Sequence, residues 1–300
     1  MIRPVEYLNH CYTIPETPPV LPLPDEGFAA AWKEVKGEAA QAFLTEITGR
    51  ELPFPLQKEQ ALRVFFTATL GGRLPVVVTG GHEDFRCLEA LLNGRSNLID
   101  LPATVNAFTL SPRAEKISGH RLILLGQAPY SNVPAQRLGL EEEDWLRRSF
   151  RLRLAHECAH YETLRLFGNM KNNALDEILA DALGQLAAFG SFSAERQRLF
   201  FGLEPGTGIC TGRLSFYCRG MFPWDKAAVY RAVDTALDGI EAQITRFLAE
   251  KREPATEGSL VAKKVEASSV DDLLRDNETK YELLALLAGT SIRTLSRNGL

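Results

Sequence analysis

The feature of this sequence that most constrains the fold is a pair of histidines, four residues apart, inside a long helical pattern. Residues 142–167 predict one continuous helix, and His156 and His160 lie in its second half. Residues four apart in an α-helix are separated by about 40° around the axis and one turn along it, so both imidazoles project from one face. Two such imidazoles suit two corners of a tetrahedral zinc site. Two histidines with satisfied hydrogen bonds, in the core or on the surface, are the alternative interpretation.

The residues between the histidines differ in what they can do. Glu157 lies about 100° around the helix from His156, beside the expected metal position. A carboxylate there can take a proton from a metal-bound water, whose pKa zinc has already lowered. Cys158 lies about 200° around from His156 and is expected to face the opposite side, so it is not counted as a ligand.

A second predicted helix carries two acidic residues at the same spacing. It runs from Asn173, a good N-cap residue, to Phe189, with Glu177 and Asp181 on one face. Two zinc-bound histidines need a third protein ligand, with a fourth position left for water. A short turn between the helices can place a carboxylate opposite the imidazoles, and Asp181 can hydrogen-bond a ligand histidine and set its tautomer. Two solvated carboxylates are the alternative.

The two helices together resemble a known family. The H-E-x-x-H motif at His156–His160 is followed, after 16 intervening residues, by Glu177 in an E-x-x-A-D setting. This arrangement is similar to the gluzincins, the thermolysin- and aminopeptidase-like zinc metallopeptidases. The resemblance implies that His156, His160 and Glu177 bind one Zn²⁺ per chain. It also implies that Glu157 is the general base and that Asp181 is a hydrogen-bond partner behind the ligands.

Two further assignments follow from the resemblance. Gluzincins stabilise the oxyanion with a histidine or tyrosine downstream of the glutamate ligand, but this chain has no histidine after His160. Tyr217, which follows a glycine-rich stretch, is the candidate; a packed core tyrosine is the alternative. Asn106 and Ala107, followed by Phe108, resemble the family's Asn-Ala-aromatic substrate-groove segment, and an ordinary strand is the alternative.

The wider pattern predicts an α+β fold of zincin-like type. An α/β N-terminal half, with an edge strand and the active-site helix, is followed by a mostly α-helical C-terminal half. Strands are expected at 74–79, 104–110 and 121–126; further helices are expected at 28–48, 58–70, 85–92, 225–251 and 270–287. The expected organisation is a proline-rich arm (1–27), a catalytic subdomain (28–190), a helical subdomain (191–251), a linker (252–269) and a C-terminal helix (270–300).

Charge and composition exclude several classes of protein. The net charge is −4 and the pI is near 5.8, so no nucleic-acid partner is expected. No apolar run approaches the ~18 residues of a membrane span, and the N-terminus lacks a signal-peptide pattern. Five cysteines without a CxxC pair favour reduced thiols and a cytoplasmic location. Four arginines within 147–153 predict a solvated helix face paired with the acidic residues 141–143.

The function that these features predict is zinc-dependent hydrolysis, with a peptide or small protein as substrate. Metal-bound water activated by Glu157 would attack the peptide bond. Two alternatives remain open at this point: hydrolysis of a non-peptide amide or ester at the same site, and a zinc-binding interaction protein without catalysis. The oligomeric state also stays open.

Overall fold

A computed structural model describes residues 3–252 and 269–298, and these form an α+β protein with a mixed sheet and a helical C-terminal half. Two compact units can be distinguished. One consists of residues 19–162 and the other of residues 1–18 together with 163–300. The boundary falls inside a single helix, between Glu162 and Thr163.

The described helices are α1 (Pro4–Leu8), α2 (Glu38–Thr48), α3 (His82–Leu92), α4 (Glu142–Phe167), α5 (Ala174–Phe189), α6 (Ala194–Phe201), α7 (Leu214–Tyr217), α8 (Pro223–Arg252), α9 (Val270–Arg275), α10 (Asn277–Ala288) and α11 (Ile292–Asn298). The described strands are β1 (Val35–Lys36), β2 (Arg63–Thr69), β3 (Gly72–Val78), β4 (Ala107–Leu110), β5 (Leu122–Leu125), β6 (Leu203–Glu204) and β7 (Ile209–Cys210).

Residues 19–162 are built on a five-stranded sheet in the order β1-β2-β3-β5-β4. β3 and β5 are parallel, with Val77 opposite Leu124, and the other pairs are antiparallel. β2 and β3 form a tight hairpin in which Thr69 pairs with Gly72. Gly72 has a φ of 98°, and a Cβ there would come within 3.1 Å of the Pro24 carbonyl oxygen, so the turn requires glycine.

The side chains of this sheet alternate between two apolar layers, as the pleat of a β-sheet requires. Val77, Leu122 and Leu124 pack with side chains of α2 and α3. Their neighbours in sequence pack on the other face, against Cys158 and Tyr161 of α4; these are Val76, Val78, Ile123 and Leu125. Cys158 therefore faces the sheet, opposite to the side expected for metal ligands. The sheet thus fixes the rotation of α4 about its axis.

The described residues within 1–18 and 163–300 form a helical unit with a small β6–β7 hairpin. α5 is buried along nearly its whole length, as is typical of a helix that is apolar on most of its surface. α8 contacts α1, α6, α10 and α11, and its apolar stripe keeps the predicted spacing of three and four residues. Tyr7 and Tyr12 of the predicted proline-rich arm are buried in this unit.

Several predicted elements agree with the structure and others are wrong. α4 has the predicted bounds, and β3, β4, β5, α3 and α8 lie where they were expected. The helix predicted at 58–70 is wrong, because Arg63–Thr69 pairs with β3 as strand β2. The helix predicted at 28–48 is interrupted: Gly37, with a φ of 56°, ends strand β1 and precedes α2. The helix predicted at 270–287 is divided at Asp276, whose side chain caps α10.

Most of the linker predicted at 252–269 lies outside the described residues; Arg252 ends α8 and Ser269 caps α9. Within residues 3–252 and 269–298, no helix has the length and hydropathy needed to span a membrane.

Candidate metal centre

The two histidines of α4 converge on each other at a buried position. The Nε2 atoms of His156 and His160 lie 3.0 Å apart, and both residues are 6% exposed. Two nitrogens bound at about 2.0–2.1 Å to one tetrahedral zinc ion would lie about 3.3 Å apart, close to this separation. An N–H···N hydrogen bond between the rings has the same distance. The separation therefore fits two ligands of one ion and a hydrogen bond between the rings equally well.

Tyr130 contacts the His156 ring on the side away from His160, and Arg153 holds the backbone next to Tyr130. The Tyr130 hydroxyl lies 3.1 Å from His156 Nδ1, on the opposite side of the ring from Nε2. Arg153 holds the backbone beside Tyr130, since its guanidinium donates to the Ala128 and Pro129 carbonyl oxygens at 2.6 and 2.8 Å. A hydrogen bond on the second ring nitrogen is the usual means by which proteins orient a ligand histidine.

The prediction that the arginines of 147–153 form a solvated face paired with residues 141–143 is wrong for Arg153, which is 4% exposed. Arg147 and Arg148 pair with Asp144. Asp144 lies three residues before Arg147 and four residues before Arg148, the spacings at which helical side chains meet. Arg153 lies on the buried side of α4.

Glu157 is held by the edge strand of the sheet. The Thr109 hydroxyl, on β4, lies 2.8 Å from Glu157 Oε2 and also 2.8 Å from the Glu157 carbonyl oxygen. Glu157 itself is 6% exposed. Because the hydroxyl can donate to the carboxylate, Thr109 limits the positions that this carboxylate can take.

Asn106 and Ala107 have structural contacts in the same region. Asn106 is buried just before β4, and its side-chain amide donates to the Ala103 carbonyl oxygen at 2.6 Å. Ala107 opens β4 and pairs with Leu125. Both contacts are those of ordinary strand architecture, and a role in substrate binding stays a prediction.

α5 presents a buried acidic pair to a single arginine. Asn173 caps the helix, its side chain accepting from the Asp176 amide, and Glu177 and Asp181 follow at 2% and 0% exposure. Arg213 Nη1 donates to Glu177 Oε2 at 2.8 Å, and Arg213 Nη2 donates to Asp181 Oδ2. Gln197 Nε2 also donates to Asp181 Oδ2, at 2.5 Å. The contact of Asp181 with a ligand histidine stays a prediction.

Tyr217 lies near the predicted metal ligand Glu177. Burial, followed by the negative charge of Glu177, raises the pKa of Tyr217 well above its usual value. Its expected role at an oxyanion stays a prediction.

The two consecutive helices α4 and α5 bring the three candidate ligands together. One nitrogen from each histidine and one carboxylate oxygen of Glu177 all lie within 4.8 Å of one another, and all three residues are buried. In the described part of the chain, this is the one group of three or more histidine, cysteine or acidic side chains with such a geometry. Its donors, two imidazoles and a carboxylate, match those of catalytic zinc sites.

A family model matches residues 110–264, which is just over half of the chain. The model describes a family of unknown function (DUF7005). The chain belongs to this family. The DUF7005 match includes both histidines, Glu177, Arg213 and Tyr217, and begins one residue after Thr109. No curated protein and no solved structure matches the chain.

Two residues of the site in this DUF7005 member were missed in the sequence. Thr109 and Tyr130 reach α4 from a strand and a loop that lie 48 and 26 residues away from their partners. No local pattern marks either of them. One sequence feature pointed to Arg213 as a site residue: it lies four residues before the candidate Tyr217 in the same segment.

Proposed function

We propose that this member of DUF7005 is a zinc-dependent hydrolase of gluzincin type, a metallopeptidase that acts on a peptide or small protein. The observation that carries the proposal is the buried group of His156, His160 and Glu177, whose ligand atoms lie within 4.8 Å of one another. A zincin-like fold is part of the proposal. In its support, α4 packs on a mixed sheet and its Glu157 contacts the edge strand β4.

Three protein ligands would leave the fourth coordination position of a zinc ion open for water or substrate. Two neutral imidazoles and one carboxylate are the three protein ligands of several catalytic zinc sites, which keep a fourth position open. When bound, zinc supplies Lewis-acid polarisation of the scissile carbonyl and lowers the pKa of water. Proton transfer, orientation of the reacting groups and stabilisation of the oxyanion are tasks for side chains of the protein.

Glu157 is the residue that moves the proton. Its carboxylate takes a proton from the attacking water and returns that proton to the leaving amine. The Thr109 hydroxyl, 2.8 Å from Glu157 Oε2, orients this carboxylate, and Tyr130 orients the His156 ring. Tyr217 carries a hydroxyl at the same site that can donate a hydrogen bond to a developing oxyanion.

Zinc content tests the metal site directly. We expect about one zinc per chain in protein purified without added metal or chelator, measured by mass spectrometry. His156→Ala and Glu177→Ala should each lose the metal, because two remaining ligands bind zinc weakly. His10→Ala is the matched control, since His10 is exposed and should leave the zinc content unchanged. Wild-type protein that neither contains zinc nor takes it up would overturn the proposal.

Glu157→Gln tests catalysis separately from metal binding. We expect this variant to keep its zinc but to hydrolyse a peptide library about 10²–10⁴-fold more slowly, because the amide cannot accept the proton. Unchanged turnover would remove Glu157 from the mechanism. Wild-type protein that binds zinc and hydrolyses nothing would favour the zinc-binding interaction protein.

A further inference from the structure

Arg213 bridges both acidic side chains of the α5 pair, Glu177 and Asp181. Its Nη1 donates to Glu177 Oε2 at 2.8 Å, while its Nη2 donates to Asp181 Oδ2. The Arg213 side chain is 15% exposed, and those of Glu177 and Asp181 are 3% and 0% exposed. A guanidinium presents its donors in a rigid planar fork, so two-point contact fixes the position of each carboxylate.

The backbone just before Arg213 is closely packed against the end of α6. Gly202 and Gly212 pass so close that a Cβ at Gly212 would lie 2.5 Å from the Phe201 carbonyl oxygen. The Thr211 amide also donates to the Gly202 carbonyl oxygen at 2.9 Å. Arg213 follows directly, and its guanidinium lies over the Phe201 ring at 5.1 Å. The backbone that leads to Arg213 is therefore held by close packing, and the Arg213 side chain extends from it to α5.

The contact from Arg213 falls on the side chain that the proposed metal site needs as its third ligand. Groups that hydrogen-bond a ligating carboxylate set the geometry in which it meets the metal.

We propose that Arg213 is a positioning residue of the metal centre, which holds the Glu177 carboxylate in the orientation that binds zinc. This inference rests on the proposed function. It assigns to Arg213 an effect on zinc affinity in addition to balancing the charge of two buried acids. Any positively charged side chain, including lysine, could balance that charge. Only the planar guanidinium of arginine can contact both carboxylates at fixed positions.

The experiment measures zinc affinity by competition with a chromogenic chelator, and the unfolding temperature in excess chelator. We expect Arg213→Lys and Arg213→Met to weaken zinc binding, the latter by about 10–100-fold. The double variant Arg213→Met/Asp181→Asn also removes the buried negative charge of Asp181. It should therefore unfold at a higher temperature than Arg213→Met, yet still bind zinc weakly.

Arg198→Met is the matched control. Arg198 has a side chain 16% exposed and pairs with two acids, Asp234 and Asp238, in the same unit of the chain. Its removal should lower the unfolding temperature as Arg213→Met does and leave zinc affinity unchanged.

The outcomes separate this inference from the proposed function. Wild-type protein that binds no zinc overturns both. Wild-type protein that binds zinc, with Arg213→Lys or the double variant binding it equally tightly, overturns the positioning role alone. Arg198→Met that weakens zinc binding as strongly as Arg213→Met also overturns it, because general destabilisation would then account for the loss.

Discussion

At the scale of single residues, His120 shows how a partly buried contact creates a pH dependence. Its Nδ1 accepts a hydrogen bond from the Trp32 indole N–H at 3.1 Å, and its ring stacks on Phe28 with centroids 5.5 Å apart. Burial lowers the pKa of this imidazole below its usual value. Protonation at Nδ1 would also remove the acceptor that Trp32 uses.

We expect the protein to lose stability as the pH falls through the titration of His120. The unfolded state, with a histidine pKa of about 6.5, binds the proton at higher pH than the folded state. The His120 contribution is therefore complete above about pH 6.5 and is lost as the pH falls through the lower pKa of the folded state. Urea unfolding at pH 7.5 and pH 5, followed by tryptophan fluorescence, measures this loss.

His120→Gln is the comparison variant, because an amide oxygen can accept from Trp32 and does not titrate in this range. It should show a smaller loss of stability between the two pH values than the wild type. Equal losses in the two proteins would show that His120 carries none of the pH dependence.

At the scale of elements, the start of α5 depends on residues from far away in the chain. The Tyr12 hydroxyl donates to the Asp176 carboxylate, which is fully buried, and the Ala174 amide donates to the Tyr7 hydroxyl at 2.8 Å. Asn173 caps the same turn. The first turn of the helix that carries Glu177 is therefore held partly by the N-terminal segment.

Tyr12→Phe should lower the free energy of unfolding by about 1–3 kcal/mol, because it removes the hydroxyl that Asp176 accepts from in a buried position. Tyr281→Phe is the control. Both rings pack on Phe167, at 5.9 and 6.2 Å between centroids, but among the described residues the Tyr281 hydroxyl has no hydrogen-bond partner. Denaturant unfolding that gives equal losses for both variants would contradict this account.

Element prediction succeeded where local pattern and packing agreed. α4 and α5 have the bounds that the sequence predicted, and Asn173 is the N-cap that its residue type indicates. β2, with the sequence RVFFTAT, was predicted as part of a helix at 58–70. Its pairing with β3 decided the outcome, since a strand bonded along its length to a neighbour satisfies its backbone groups as well as a helix does.

At the scale of the whole molecule, the N-terminal segment belongs to the unit that contains residues 163–300. Tyr7, Leu8 and Tyr12 are buried there, and the Tyr12 amide donates to the Ala288 carbonyl oxygen at 3.0 Å. The first residues of the chain thus pack with some of its last. They were assigned from the sequence to a proline-rich arm, and packing of that arm over a domain was the expectation.

We expect deletion of residues 1–12 to lower the unfolding temperature by roughly 10 °C or more, because three large buried side chains are lost from one core. Replacing the exposed Glu6 and His10 by alanine keeps the segment in place and should change the unfolding temperature little. Differential scanning calorimetry measures both. A deletion variant as stable as the wild type would show that the segment contributes nothing to this unit.

The sequence by itself determined the two helices of the candidate site and the residues that share a face on each. Helical periodicity and capping act within a few residues, so a linear pattern carries them. Only the tertiary structure decided that Thr109 holds Glu157, that Arg213 holds Glu177, and that Tyr12 holds Asp176. These pairs lie 36 to 164 residues apart, and folding rather than local pattern brings them together.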